Sequence, residues 1–313
     1  MSDVKERSVL TGRIVSVTGG LYTVAVETGN IPCRARGLFR HEKITPLVGD
    51  MVEVIPEEAD GEGSIKTILP RKNALIRPAL ANLDFLLAVI AAAKPEPSQL
   101  ISDKLISIAE FNKIEPVVVI TKSDLAPVKA NEMASDYSKC GLFAFTVSGL
   151  TGNGTEQLHR FIASACLDKT AAVAGVSGVG KSTLLNTIFP SLSQTTGELS
   201  SRVSRGKNTT RQVELFPLSD LLDVSTAGGY FADTPGFSLI DFERFNFYDI
   251  GDLPFTFREF EPYLTRCRYT KCSHTKEDGC AIIDAVDRGI IPRGRHESYI
   301  SIYADLKDKR EWD

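Results

Sequence analysis

The chain has 313 residues, 42% of them hydrophobic and 24% charged, with a formal net charge of −4. That length suits two or three domains, and the proportions are those of an ordinary globular protein. The acidic balance leaves only local basic clusters for nucleic-acid contact, and the longest apolar run, Phe85 to Ala93, is too short to span a bilayer.

Residues 1 to 7 are polar and lack a signal-peptide core, so a cytoplasmic protein without membrane attachment is expected. From residue 9 to 70 the pattern is β. Tyr22, Val24 and Val26 alternate on one strand face, and Val52 and Val54 repeat the pattern. Gly19-Gly20 and Gly61 to Gly63 read as turns between strands. Short strands at this spacing predict an all-β, OB-type barrel over residues 1–70. Arg34, Arg36 and Arg40 lie in or beside one strand, with Arg34 and Arg36 on one face. Such a face either meets RNA or is simply solvated.

Residues 71 to 84 read as a crossing segment. Phe85 to Ala91 is a continuous apolar run suited to a strand buried on both faces. Ser98 is placed to cap a helix running to about Lys113, with Leu105, Ile108 and Ala109 on one side. Pro116 to Ile120 predicts the next buried strand, and the alternation continues to about residue 240. An α/β domain with a parallel sheet is expected over residues 71–244.

Within that domain, Thr121-Lys122-Ser123-Asp124 follows a buried strand. A carboxylate there accepts two hydrogen bonds from the N1–H and N2–H₂ edge of guanine. Adenine has no N1 donor and would leave the carboxylate unpaired. The Lys122 stem covers the base plane. Ser148-Gly149 follows the apolar stretch Leu142 to Val147 and offers a backbone N–H for guanine O6.

Gly175-Val176-Ser177-Gly178-Val179-Gly180-Lys181-Ser182 fits G-x-x-x-x-G-K-[ST], between Ala171 to Ala174 and the helical run Lys181-Ser182-Thr183 to Ile188. Its N–H groups and helix start cradle phosphates. Lys181 is expected on the β- and γ-phosphates, and Ser182 on Mg²⁺. The segment Gln194 to Arg211 reads as a mobile loop. Its Thr210, or failing that Thr209, is the candidate to close on Mg²⁺ when a γ-phosphate is present. Asp233-Thr-Pro-Gly236 completes the set, with Asp233 holding Mg²⁺ through water and the Gly236 N–H sensing the γ-phosphate.

Residues 245–313 lose the αβ alternation. Helices are expected at about 250–264, 280–288 and 295–310, with Ile300, Tyr303 and Leu306 packed as core. Cys267, Cys272, His274 and Cys280 supply three thiolates and one imidazole, a complete tetrahedral set for one structural Zn²⁺ per chain. Arg266, Arg268 and Lys271 surround them. Cys33, Cys140 and Cys166 are widely spaced and read as small buried hydrophobes.

In most GTPases the phosphate loop precedes the base-reading loop. Here the base-reading strings stand in front, the order that a circular permutation produces. With that order, the barrel before it and the cysteine–histidine cluster after it, the chain resembles the ribosome small subunit-dependent GTPase A family, RsgA or YjeQ. The resemblance implies three parts: an N-terminal OB barrel, a circularly permuted P-loop GTPase domain, and a C-terminal, mainly helical zinc-binding domain. It also implies GTP hydrolysis to GDP and phosphate, stimulated by the 30S subunit and its 16S rRNA during late maturation, by a protein expected to act as a monomer.

Two departures stand out. The family's G-[RH]-H-T-T string is Gly206-Lys207-Asn208-Thr209-Thr210 here, so no imidazole stands at position 208. Thr121 replaces the asparagine of many GTPases, which removes one amide contact. Phe237 stands where Ras-like enzymes place a water-orienting glutamine, which predicts slow hydrolysis by the isolated chain. The competing readings are a P-loop ATPase or nucleotide kinase, opposed by Asp124, and a non-catalytic RNA-binding protein. A zinc enzyme is disfavoured because the metal set leaves no open position.

Overall fold

The structure is a computed structural model. It describes residues 9–37, 39, 44–56, 61–76, 78–191, 213–222, 228–233 and 247–310. The chain forms two compact units that do not follow chain order. One comprises Met1–Leu83, Leu167–Ala172 and Ser204–Pro235; the other comprises Asp84–Cys166, Val173–Val203 and Gly236–Asp313.

The first unit holds a closed barrel of β1 (Leu10–Thr18), β2 (Leu21–Val26), β3 (Gly29–Ala35), β4 (Met51–Ile55) and β5 (Gly63–Ile68). The strands pair in the order β1-β2-β3-β5-β4, and β4 returns to β1 to leave no free edge. The alternation in the sequence is the cause. Ile14, Val24, Cys33, Val52, Val54 and Ile65 all point inward and are fully buried. The crossing segment folds as a small hairpin, β6 (Ala74–Leu75) with β7 (Leu80–Ala81). Arg71 fastens it to the barrel, donating to both oxygens of buried Asp50 at 2.7 Å. This unit also contains β12 (Glu214–Pro217) and β13 (Tyr230–Asp233), which pair antiparallel.

In the second unit β8 (Phe85–Ala91), β9 (Glu115–Thr121) and β10 (Phe143–Thr146) run parallel. Every residue of β8 is buried, as the unbroken apolar run requires. Helix α1 (Gln99–Phe111) lies between β8 and β9, and α2 (Pro127–Lys139) between β9 and β10. Ser98 occupies the N-cap position of α1, but its side chain makes no capping bond. Helix α1 ends before Lys113, which has a positive φ of 56°. Helix α3 (Thr155–Ala165) leads to β11 (Thr170–Ala174), and α4 (Lys181–Ile188) follows. Cys33, Cys140 and Cys166 are buried, as expected.

The C-terminal segment departs from the expected helix at 250–264. It forms two 3₁₀ turns, Leu253–Thr256 and Arg258–Tyr263. Pro262 lies inside the second and Pro254 at the start of the first, and each removes a backbone donor that an α-helix would use. Helices α6 (Ala281–Asp287) and α7 (Arg293–Arg310) follow; α5 is the short Leu218–Leu222 turn. The core row of α7 is offset from the expected one. Tyr299 and Ile302 are buried with Phe257 and Phe260, while Ile300, Tyr303 and Leu306 flank that cluster.

Candidate nucleotide site and metal centre

The phosphate loop leaves β11 at Gly175 and enters α4 at Lys181. Gly175 has φ 155°, and a Cβ there would stand 2.5 Å from the Val89 carbonyl oxygen, so only glycine lets the loop pass this close to β8. Gly180 has φ 95° and turns the chain into the helix. The Lys181 ammonium donates to the carbonyls of Gly175 at 2.7 Å and Val176 at 2.9 Å, so it lies over the loop. Ser177, Gly178, Ser182 and Thr183 are exposed around it.

The string Thr121 to Asp124, the candidate base reader, meets this loop directly. The Thr121 hydroxyl, at the end of β9, donates to the Val179 carbonyl at 2.5 Å. The Lys122 ammonium donates to the Gly178 carbonyl at 2.8 Å and to the Lys94 carbonyl. The threonine that replaces asparagine thus keeps a tie to the phosphate loop through its hydroxyl. Asp124 is exposed beside it.

Ser148 and Gly149 close the third side. Gly149 accepts from the Thr187 hydroxyl on α4 at 2.8 Å, and a Cβ on Gly149 would stand 3.2 Å from the Leu184 nitrogen. The Ser148 N–H is engaged by the Asn153 carbonyl at 2.9 Å. The next residue, Leu150, is 83% exposed. Three strings that are far apart in the chain therefore meet at the carboxyl ends of parallel strands, where open α/β sheets bind ligands. Asp233 closes β13. Thr209, Thr210, Asn208, Gly236 and Phe237 lie outside the described residues, as does Arg40.

The cysteine–histidine cluster is assembled as predicted in composition. The donor atoms of Cys267, Cys272, His274 and Cys280 lie within 4.8 Å of one another. Zn–S near 2.3 Å and Zn–N near 2.05 Å at a tetrahedral angle imply edges of about 3.8 Å (S to S) and 3.6 Å (S to N). Cys267 Sγ to Cys280 Sγ is 3.9 Å, and His274 Nδ1 is 3.5 Å from both sulfurs. The donor set and its edges fit a tetrahedral zinc ion.

Burial pushes the Cys272 thiol up to about 12 and raises that of Cys280, and it lowers the pKa of His274. A dication reverses this logic by favouring thiolate. Glu277 shapes the loop, accepting from the backbone N–H of Ser273 at 2.7 Å, Thr275 at 3.1 Å and Lys276 at 3.2 Å. Burial alone would raise its carboxyl, but the hydrogen bonds from Ser273 and the backbone hold it at about 2.

Sequence reasoning missed a supporting layer. His296 Nε2 donates to the His274 carbonyl at 2.7 Å, and the Tyr299 hydroxyl donates to the Ser273 carbonyl at 2.9 Å. A lone histidine twenty-two residues beyond its partner carries no spacing signal. On the barrel, Arg34, Arg36, Tyr22 and Phe39 line a depression of about 520 Å³. Arg34 donates there to Glu62 at 2.7 Å, so its charge is already paired.

A family model described as the RsgA GTPase matches residues 68–243, and one described as the RsgA N-terminal domain matches residues 11–65. This chain belongs to the RsgA GTPase family. Among its relatives, the small ribosomal subunit biogenesis GTPase RsgA of Caldanaerobacter subterraneus subsp. tengcongensis is 43% identical over 305 residues, covering 96% of this chain and 97% of that one. The protein of the same name from Geobacillus kaustophilus is 38% identical, covering 96% and 98%. The crystal structure of YjeQ from Thermotoga maritima superposes with a TM-score of 0.77 at 34% identity, covering 96% of this chain and 99% of that one. YloQ, described as a circularly permuted GTPase, gives 0.74 at 31% identity, covering 99% of both. Among the described residues no helix is long and apolar enough to cross a membrane.

Proposed function

We propose that this chain hydrolyses GTP to GDP and phosphate on the 30S ribosomal subunit and assists its late maturation. The observation that supports the reading is the junction of Thr121 and Lys122 with the backbone of Val179 and Gly178, the contact expected if a guanine reader adjoins a phosphate cradle. The relatives named for small-subunit biogenesis supply the partner.

In this reading residues 1–70 are the OB barrel, 71–244 the permuted GTPase domain and 245–313 the zinc-binding domain. Asp124 takes the N1–H and N2–H₂ edge of guanine. With the Ser148 N–H already engaged, the N–H of Gly149 or Leu150 serves O6. The loop Gly175 to Thr183 takes the phosphates, and Lys181 exchanges its loop carbonyls for phosphate oxygens. The Ser182 hydroxyl, exposed at the start of α4, is a hard oxygen donor that suits Mg²⁺, with Asp233 and Thr210 completing its surroundings. When bound, Mg²⁺ neutralises charge that develops on the phosphates. The Cys267, Cys272, His274 and Cys280 set holds one structural Zn²⁺. The protein acts as a cytoplasmic monomer, and its 30S contacts include 16S rRNA.

The test is GTP turnover with and without purified 30S subunits, beside an ATP control. Slow hydrolysis alone, strong stimulation by 30S and no ATP turnover are expected. Fast turnover that 30S leaves unchanged would overturn the ribosome-dependent reading.

A further inference from the structure

One helix joins the metal loop to helix α1, which borders the phosphate loop. Helix α7 holds the metal loop through His296 and Tyr299, which donate to the carbonyls of His274 and Ser273 at 2.7 and 2.9 Å. Its neighbouring residue Arg295 points to the nucleotide-binding half. The Arg295 guanidinium is 1% exposed and donates to Asp103 on α1 at 2.6 Å and to Glu259 at 2.7 Å. It also lies 4.4 Å from the Phe257 ring centroid. Lys104, the next residue of α1, pairs with Asp305 at the far end of α7 at 2.7 Å. Two consecutive residues of α1 thus tie it to two positions ten residues apart on α7.

Helix α1 in turn borders the phosphate loop. Ser98, Ile101, Ser102 and Leu105 line a cavity of about 20 Å³ with Val176 and Val179. The segment that leads into α1 supplies the Lys94 carbonyl, which shares the Lys122 ammonium with the Gly178 carbonyl. A contiguous set of contacts therefore runs from the metal loop through α7 and α1 to the loop that holds phosphate.

We infer that occupancy of the Cys267, Cys272, His274 and Cys280 site sets the affinity of the phosphate loop for guanine nucleotide, with Arg295 and His296 as positioning residues. This rests on the zinc and GTP readings given above. The metal crosslinks the loop and fixes the Ser273 and His274 carbonyls. Without it, those acceptors move, and the buried donors of His296 and Tyr299 are left to follow or go unpaired. Any displacement of the first turn of α7 acts on Arg295, whose buried ion pairs have no water to substitute for a lost partner. Asp103, and with it the start of α1, moves in response. Coupling of this kind is reciprocal: guanine nucleotide must strengthen metal binding by the same factor.

The experiment uses the full chain. The affinity for a fluorescent GDP analogue is measured on zinc-loaded and chelator-stripped protein, and zinc affinity is measured by competition with a chromophoric chelator, with and without saturating GDP. Loading is expected to tighten GDP by roughly fivefold or more, and GDP to tighten zinc by the same factor. His296→Phe retains the ring and lacks the donor. It is expected to keep zinc and lose the coupling, as is Arg295→Lys in part. Equal GDP affinity, within about twofold, for zinc-loaded wild type and zinc-loaded His296→Phe would overturn the linkage even if the stripped protein unfolds. So would a zinc affinity that saturating GDP leaves unchanged. GDP binding by loaded wild type checks the nucleotide reading separately; its absence removes that reading and the linkage with it.

Discussion

The Thr121 hydroxyl donates to the Val179 carbonyl at 2.5 Å, so the end of β9 and the phosphate loop are joined by one hydrogen bond. The residues are fifty-eight positions apart, and Thr121 is almost fully buried. Its single proton goes to Val179; the Ile90 carbonyl, at 3.3 Å, is the more distant acceptor.

Removing that proton should loosen the site without unfolding it. Thr121→Val leaves the Val179 carbonyl without its buried donor, at about 1–3 kcal/mol. GDP affinity should fall by roughly tenfold, while Thr121→Ser stays near wild type. Fluorescent nucleotide titration with a parallel thermal melt checks both.

In the proposed site Asp124 is the residue that reads the base. Xanthine carries a carbonyl where guanine carries the N2 amino group. Asp124→Asn replaces one acceptor by a donor, so the variant should prefer xanthosine over guanosine nucleotides. Competition binding with the two diphosphates measures the exchange, and an unchanged preference for GDP would remove Asp124 from the base-reading role.

Metal affinity should fall as the pH falls. Burial holds the Cys272 thiol near 12 without a metal, and each thiolate ligand must lose a proton to bind. Log affinity for zinc should therefore rise by roughly one to three per pH unit between pH 6 and 8. Cys272→Ala should lose the metal and open the core around Phe257 and Phe260. Zinc analysis of the purified variant, with its hydrogen exchange over residues 253–302, reads both effects.

Glu277 gives the metal loop an acid limit. Its folded carboxyl titrates at about 2, below the ordinary 4.5. Its stabilising contribution is therefore complete above pH 4.5 and disappears as pH falls from there toward 2. Glu277→Gln should flatten that part of the stability curve, as followed by denaturant unfolding at pH 3 to 6.

Arg258 binds the last turn of α1 to the start of β9. It donates to Glu110 and, at 3.0 and 3.1 Å, to both oxygens of Glu115. Glu110 is half-buried; burial raises its pKa and Arg258 opposes that. Arg258→Ala should cost about 2–3 kcal/mol, less than a fully buried pair because the group is partly solvated. Urea unfolding of the variant gives the value.

Local pattern alone determined most strands and helices of this protein and the candidate chemistry of its sites. Alternation at Tyr22, Val24, Val52 and Val54 dictates which strand face is buried, because side chains along a strand have a period of two. Glycines 175 and 180, Lys181 and Ser182 announce a phosphate loop because that backbone path tolerates few other residues. The four metal donors lie within fourteen residues, so their partnership is written in spacing. Tertiary structure decided what joins across distance. The tie from Thr121 to Val179, the replacement of the 250–264 helix by 3₁₀ turns, the one-residue offset of the α7 core, and the Arg295 network all depend on partners brought near only by folding. Hydrogen bonds and buried ion pairs act over about 3 Å in space, and sequence separation carries no record of that distance.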